Sequence, residues 1–497
     1  MQSSLAGRMG IIARQSIKAS IVSFVGVGIG AITTLFLLPK YLSKEEIGLI
    51  NTIQRMALLI YPFMVFGTIF TIRKYYLPFV NRTKKDDGGL FYSNVLLVLV
   101  MSLIVALLYV LNIESINQYF EKSPLLKDFI YLPLIVAFSI VVFQLLVALS
   151  SAVQRITIPS LLSNTFNRLL AMAAILVFAY TGIKFALFVQ LYLIGYYFIP
   201  LIALLLYCIY FINLKLSIVS FDGVKSNIKE TFSYSSFLFL SMTSGLIVQS
   251  LDSVMISSYS GLGDTAIYNI AFFIATVIEI PQRMLVQIST PLISNAIQEG
   301  HWKKVHQLYQ RSSENQSFIA FFIFGLIWFN LDALFQIMPS GEVYKEGMYV
   351  VLFLGFAKII DLSFGLNKQI IEVAPYYKFN LYINVLLSAL VVIFNLIFIP
   401  NYGILGAAFA SFLAMTVVNL LALALVYWKS SILPFTKRMM WFVAFAVVFG
   451  LVCQLLLPNI ANPFLSIIIK STIVGLPLIS AAYFLGLLDE YLALIKK

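Results

Sequence analysis

The chain has 497 residues, of which 61% are hydrophobic and only 11% are charged, and its formal net charge is +12. Soluble domains are about half apolar and about a quarter charged, so this composition excludes an ordinary soluble protein. The Lys and Arg residues lie between long apolar runs and form no basic stripe, so the positive charge indicates no nucleic acid partner.

Long apolar segments follow one another along the whole chain. A helix needs ~20 apolar residues to cross a bilayer, and we therefore predict an all-α, polytopic membrane protein with about 14 transmembrane helices. The predicted spans are 15–38, 47–70, 91–112, 129–151, 161–181, 183–212, 231–257, 266–294, 315–338, 347–371, 378–400, 403–428, 438–457 and 463–487. Within the first span, Gly26, Gly28 and Gly30 predict close packing against another helix or a hinge.

The distribution of positive charge predicts the orientation of these spans. With a cytoplasmic N-terminus, 22 of the 33 Lys and Arg residues lie at the inner surface, six at the outer surface and five within spans. Because short cytoplasmic loops carry the excess of Lys and Arg, we expect both termini in the cytoplasm and the protein in the inner (plasma) membrane. The inner loop near residues 295–314 has apolar residues at helical spacing, which predicts a short amphipathic helix on the inner surface.

An internal repeat relates the two halves of the chain. Tyr41 matches Tyr259 and Asn51 matches Asn269, both at a shift of 218 residues, which spans six predicted helices. Six is an even number, so both halves share one orientation and are related by an axis along the membrane normal, with a cavity between them. We predict an N-lobe of TM1–6 over 1–214, a C-lobe of TM7–12 over 215–430, and TM13–14 with a cytoplasmic tail over 431–497.

Three segments carry a family resemblance. They are LLPKYLSKEEIGLI after the first span, GTIFTIRKYY at the end of the second, and LDSVMISSYSGLGDTAIYNIA across the seventh and eighth. With them the chain resembles the multidrug/oligosaccharidyl-lipid/polysaccharide (MOP) exporter superfamily, and within it the polysaccharide transporter, Wzx-like oligosaccharide flippase branch. One departure is Ala266-Ile267-Tyr268, where the family pattern would have a glycine before the aromatic residue.

The resemblance implies a V-shaped, two-lobed fold that flips polyprenyl-diphosphate-linked oligosaccharide from the inner to the outer leaflet. It also implies alternating access driven by an ion gradient or by the membrane potential. We therefore expect a polyprenyl-linked glycan and membrane lipid as partners, with polysaccharide polymerase or chain-length machinery as a further one. We expect a monomer without a cofactor.

Four cations are the candidate substrate-binding residues. Ionisable side chains at membrane depth are costly and usually face a cavity or a partner. Arg14 and Lys18 lie at the start of the first predicted helix, Arg168 early in the fifth and Arg283 late in the eighth. All four are therefore predicted in the inner third of the membrane, and a diphosphate needs such cations. An alternative interpretation is that Arg14 and Lys18 extend only to the inner lipid headgroups.

Two charge pairs are predicted within single spans. Glu279 precedes Arg283 by one helical turn, in the favourable order for an i,i+4 pair. Lys358 and Asp361 have i,i+3 spacing in the tenth span. Both pairs are candidates for structural neutralisation or for ion coupling, and the sequence leaves these alternatives open.

A third pair is a candidate outer gate. Arg55 lies in the second span and Asp252 in the seventh, each close to the outer end of its helix. We predict that they pair across the outer mouth when the cavity faces inward. The alternative is that each side chain pairs within its own lobe.

The chain lacks the residues that several other functions would need. The chain contains no Gly-Lys dipeptide, so it has no Walker A loop for ATP. Its two histidines, His301 and His306, lack the spacing of a metal site. A multidrug or cation antiporter of the same fold would need more intramembrane acids than cations. A membrane glycan polymerase or glycosyltransferase would need a large outer loop or paired outer acids, so we expect a transporter and not an enzyme.

Overall fold

The structure, a computed structural model, describes residues 25–83, 89–212, 228–458 and 460–487, and every regular element in them is helical. The first helices are α1 (Val25–Tyr41), α2 (Lys44–Val65), α3 (Thr68–Thr83), α4 (Gly89–Leu111), α5 (Ile113–Tyr119), α6 (Leu132–Ala152), α7 (Thr157–Thr181) and α8 (Phe185–Phe211). The others are α9 (Ile228–Tyr259), α10 (Leu262–Gln298), α11 (Trp302–Ile337), α12 (Gly341–Ser363), α13 (Asn367–Val373), α14 (Lys378–Ser430), α15 (Lys437–Leu456) and α16 (Pro463–Phe484).

The multi-pass, all-α architecture is confirmed. The number of spans depends on how α1, α14 and the bent pair of α12 and α13 are counted. Among the described residues, eleven helices are long and apolar enough to cross a membrane, or twelve if α12 and α13 form one bent span. The first predicted span is described only from Val25. The 53-residue α14 would extend ~80 Å if straight. Gly403 interrupts it with φ 55 and ψ −131, at the predicted boundary between the eleventh and twelfth spans.

The chain forms two compact units, residues 1–263 and 264–497. The sequence repeat predicts the boundary between the two lobes at residue 214. In the structure, α9, which corresponds to the seventh predicted span, packs within the first unit. Its aromatic residue Phe239 contacts Phe63 and Phe66, at and just beyond the end of α2.

Small residues allow close helix contacts in the first unit. A Cβ atom at Gly26 would lie 3.0 Å from the Asn164 carbonyl oxygen, and one at Gly30 would lie 2.9 Å from Nη1 of Arg168. The predicted close packing of the first span is therefore confirmed for these two glycines, which meet α7. Gly28 has no atom within 4 Å of such a Cβ and does not contribute.

The connection between α4 and α6, residues 113–129, is bonded to the end of α9. The Lys122 ammonium donates to the Tyr259 carbonyl at 2.7 Å, and the Ser123 hydroxyl donates to the Ser257 carbonyl at 2.5 Å. In return, the Ser258 hydroxyl donates to the Tyr119 carbonyl at 2.5 Å. Carbonyls in the last turn of a helix have no partner within the helix, so this connection satisfies two of those of α9, at Ser257 and Tyr259.

In the second unit, α11 corrects one expectation. The amphipathic segment predicted to lie as a separate helix on the inner surface is the first part of α11, which is continuous from Trp302 to Ile337. Val305 and Tyr309 on its apolar face are fully buried, so this face packs against protein. Further along α11, Phe318 contacts Phe442 of α15.

Candidate functional site

The tenth predicted span is broken, and the break forms one side of the candidate site. Helix α12 ends at Ser363 and α13 begins at Asn367, with a bend of 51° between them. Gly365 has φ +64, a conformation that favours glycine, and a Cβ atom there would lie 3.2 Å from Ser313. The Ser313 hydroxyl donates to the Ser363 carbonyl, which fixes the break against α11.

A cavity of about 430 Å³ lies between the break and α10, within the second unit. Its volume falls in the range of small-molecule sites, about 300–1,000 Å³. Seven of its nine lining residues have polar or charged side chains, and Val286 and Gly365 are the exceptions. The lining residues are Gln282, Arg283, Val286, Gln287, Asp361, Gly365, Asn367, Lys368 and Gln369.

On the α10 side, Glu279 joins two cations. Its Oε1 accepts from Arg283 Nη2 at 2.9 Å, and its Oε2 accepts from Lys358 Nζ at 2.5 Å. The predicted i,i+4 pair of Glu279 and Arg283 is therefore present. Arg283 keeps 67% of its side-chain surface exposed, whereas Glu279 keeps 21% and Lys358 only 16%. Arg283 is thus the accessible member of this group.

On the side of the break, Asp361 is the centre of a second group. Lys368 Nζ of α13 lies 2.5 Å from Asp361 Oδ1, and the Asn419 amide of α14 donates to the same oxygen at 3.0 Å. The Asn367 side-chain amide donates to Oδ1 of the Asn419 side chain at 3.3 Å. The Lys368–Asp361 pair therefore bridges the break between α12 and α13.

The pairing predicted for the tenth span differs from the one observed. Lys358 was expected to pair with Asp361 at i,i+3 on one helix. In the structure Lys358 pairs with Glu279 from the preceding helix, and Asp361 pairs with Lys368 from beyond the break. Across this 51° bend, Lys368 reaches Asp361, which lies seven positions earlier in the chain.

The other predicted substrate-binding residues lie elsewhere. Arg14 and Lys18 lie outside the described residues. Arg168 lies in α7 of the first unit, against Gly30 and beside Tyr196. Because α7 begins at Thr157, four residues earlier than predicted, Arg168 lies ~16 Å along its axis and not ~10 Å.

The residues of the predicted outer gate both lie in the first unit. Arg55 Nη1 of α2 donates to the Gln249 carbonyl of α9 at 3.1 Å. Asp252, which is buried, follows Gln249 by one turn of the same helix. The structure therefore brings Arg55 to the segment of α9 that carries Asp252.

The cavity in the second unit can bind an anion. Arg283, Lys358 and Lys368 outnumber Glu279 and Asp361 by one charge, and the exposed guanidinium of Arg283 offers donors in a planar fork. The amides in the wall can bond hydroxyl groups. Among the described residues, no group of three His, Cys, Asp or Glu side chains could hold a metal ion.

Sequence reasoning missed the roles of Lys368 and Asn419. Lys368 lies near the end of the tenth predicted span, where the sequence indicates only a charge that orients the helix. Asn419 is a fully buried amide in an apolar span, and a buried amide of that kind needs hydrogen-bond partners. An amide within an apolar run therefore indicates, from the sequence alone, that Asn419 has polar partners.

Comparisons with known proteins agree with this architecture. The profile of the family described as "Polysaccharide biosynthesis protein" matches residues 13–297, more than half of the chain. The solved structure of lipid II flippase MurJ in an inward closed conformation has a TM-score of 0.70 and 16% identity, covering 94% of this chain and 99% of that one.

Two further solved structures are MATE transporters. An inward-facing multidrug resistance MATE family transporter of the MOP superfamily has a TM-score of 0.61 and 16% identity, covering 83% of this chain and 94% of that one. A Vibrio cholerae MATE transporter has a TM-score of 0.55 and 14% identity, covering 85% and 97%. No match to a curated protein sequence was found. This chain therefore belongs to the polysaccharide biosynthesis protein family and has the fold of the MOP superfamily, in agreement with the resemblance of its sequence.

Proposed function

We propose that this protein is a secondary transporter that flips polyprenyl-diphosphate-linked oligosaccharide from the inner to the outer leaflet by alternating access. The oligosaccharide is the repeat unit of an O-antigen, a capsule or an exopolysaccharide. The protein lies in the inner membrane with both termini in the cytoplasm, and it acts as a transporter and not as an enzyme.

The observation that carries the proposal is the cavity lined by Arg283 and Lys368. Both cations lie at its wall, and Arg283 is largely exposed. Arginine binds phosphate oxygens through two parallel hydrogen bonds, which gives direction as well as strength. The amides of Gln282 and Gln287 lie on the same wall and match the hydroxyl groups of a first sugar.

The same cavity disfavours a cationic drug as substrate. A cation would need an accessible carboxylate, but Glu279 contacts Lys358 and Arg283, and Asp361 contacts Lys368. A cationic ligand would therefore displace protein cations that stay in the same cavity and repel it. An anionic headgroup meets no such repulsion from Arg283.

The test is complementation of a strain that lacks this protein. We expect Arg283→Ala and Lys368→Ala to reduce surface glycan at least tenfold, with unflipped lipid-linked repeat units accumulating, as measured by mass spectrometry. Lysine at position 283 should restore transport only in part, because it lacks the planar fork. Lys303→Ala, an exposed cation near the start of α11, is the matched control. Wild-type transport by both cavity variants would reject this binding site.

A further inference from the structure

The cations available to a diphosphate in the cavity are already held by carboxylates. Arg283 Nη2 lies 2.9 Å from Glu279, and Lys368 Nζ lies 2.5 Å from Asp361. A headgroup that takes these cations must weaken both contacts. Binding the anion therefore changes the surroundings of two carboxylates that have limited contact with solvent.

The two carboxylates are left in different surroundings. When Arg283 turns to the headgroup, Glu279 keeps its 2.5 Å contact with Lys358. When Lys368 turns to the headgroup, Asp361 keeps the neutral Asn419 amide as its direct partner. Lys358 acts on Asp361 only from a distance along the same helix, since its ammonium is held by Glu279. Asp361 is therefore the carboxylate that loses its counter-ion.

Charge balance gives the same result. The charged residues that line the cavity are Arg283, Asp361 and Lys368, and Arg283 is bonded to the pair of Glu279 and Lys358. Together they are three cations and two carboxylates, with a surplus of one positive charge. A sugar-linked polyprenyl diphosphate carries one negative charge on each of its phosphoryl groups. The occupied site would thus hold a surplus of one negative charge, and a charge out of water without a partner is costly. One proton restores neutrality.

From this geometry we infer that Asp361 takes up one proton when the diphosphate headgroup draws Lys368 away, so that one proton is bound together with each lipid-linked glycan. The inference rests on the proposed function, because it needs an anion in this cavity. The groups that act on Asp361 among the described residues are Lys368 of α13, Asn419 of α14 and Lys358 of α12, with Arg283 of α10 across the cavity.

The position of the pair links this exchange to the backbone. Asp361 is on α12 and Lys368 on α13, so their contact spans the 51° break. Release of Lys368 removes a side-chain link between the two helices and leaves Gly365, with φ +64, as the joint. Binding of the headgroup and protonation of Asp361 together therefore loosen the break between α12 and α13.

The experiment is calorimetric titration of the purified full-length protein with a synthetic short-chain prenyl-diphospho-N-acetylglucosamine. Titrations at pH 7 in MOPS and in imidazole, two phosphate-free buffers of different ionisation enthalpy, give the number of protons taken up. We expect about one proton per headgroup, and binding that weakens by about tenfold for each pH unit above neutrality. The sign follows from uptake, since a proton that binds with the ligand favours the complex at low pH.

Two variants test whether Asp361 is the group that takes up the proton. Asp361→Asn should bind the probe more tightly at pH 8 and take up no proton. Asp332→Asn, the matched control, removes a carboxylate that pairs with Lys345 and does not line the cavity, so it should keep the wild-type affinity and the uptake of about one proton. Proton uptake near zero in the wild-type protein, or unchanged uptake in Asp361→Asn, would overturn the inference. If the probe does not bind, or binds Arg283→Ala equally well, the anion site of the proposed function fails as well.

Discussion

The ammonium of Lys358 lies 2.5 Å from the Glu279 carboxylate, and both side chains are mostly buried within the second unit. A charge taken out of water is costly unless its partner stays in place. This pair connects α12 to the 3₁₀ turn Val277–Glu279 at the middle of α10. It is the fixed contact beside the two cations that are available to a ligand.

Replacing one member of this pair should lower the stability of the folded protein more than replacing both. Breaking a buried ion pair costs about 3–5 kcal/mol, and since these side chains keep some exposure we expect about 2 kcal/mol for Lys358→Met. Glu279→Gln combined with Lys358→Met should recover most of that loss. Thermal unfolding midpoints in detergent measure the effect. If the double variant is less stable than Lys358→Met, the contact is not the source of the cost.

The orientation of the membrane helices gives a second prediction. Cysteine placed at Lys127 or Lys345, both exposed, should react with an impermeant maleimide in intact cells, because these positions are predicted to be outside. Cysteine at the exposed Lys304 should react only after the cells are opened. If the cysteine at position 304 is labelled in intact cells and the one at position 345 is not, the membrane topology is the reverse of the predicted one.

The helical spans could be predicted from the sequence because each is an apolar run bounded by charge or glycine. The break at Gly365 could not, since hydropathy is the same on both sides of a bend and a single glycine in a span is common. The contact between Lys368 and Asp361 depends on that break, so helical spacing indicated Lys358 as the partner instead. The continuity of α11 was within reach, because no proline or glycine separates Trp302 from Ser317.

Gly48 gives a third prediction, on the packing of α2. A Cβ atom at this position would lie 1.8 Å from the Leu262 carbonyl oxygen. This oxygen belongs to the backbone, so it cannot move away by a side-chain rotation. Overpacking typically costs about 1–3 kcal/mol, so Gly48→Ala should lower the thermal midpoint and the amount of folded protein. The matched control is Gly28→Ala, where nothing lies within 4 Å of the added methyl group. Equal stability of the two variants would contradict this packing.

Arg55 and Asp252 give the last prediction, which concerns the outer gate. Arg55 Nη1 donates to the Gln249 carbonyl at 3.1 Å, so the guanidinium already lies against α9 one turn from Asp252. We propose that the two charges pair when the cavity faces inward and separate when it opens outward. Close charge pairs of this kind couple strongly, by about 1.5–7 kcal/mol in measured complexes, so each single reversal should disturb closure.

A charge exchange tests this gate. Arg55→Asp and Asp252→Arg should each abolish transport, because each places two like charges at the same position along α2 and α9. The double variant should regain a substantial part of the wild-type surface glycan, since it restores opposite charges with the positions reversed. Protein level, measured by immunoblot, separates a closure defect from loss of the folded protein. A double variant as inactive as the weaker single one, at normal protein level, would show that each charge acts within its own helix and not as a pair.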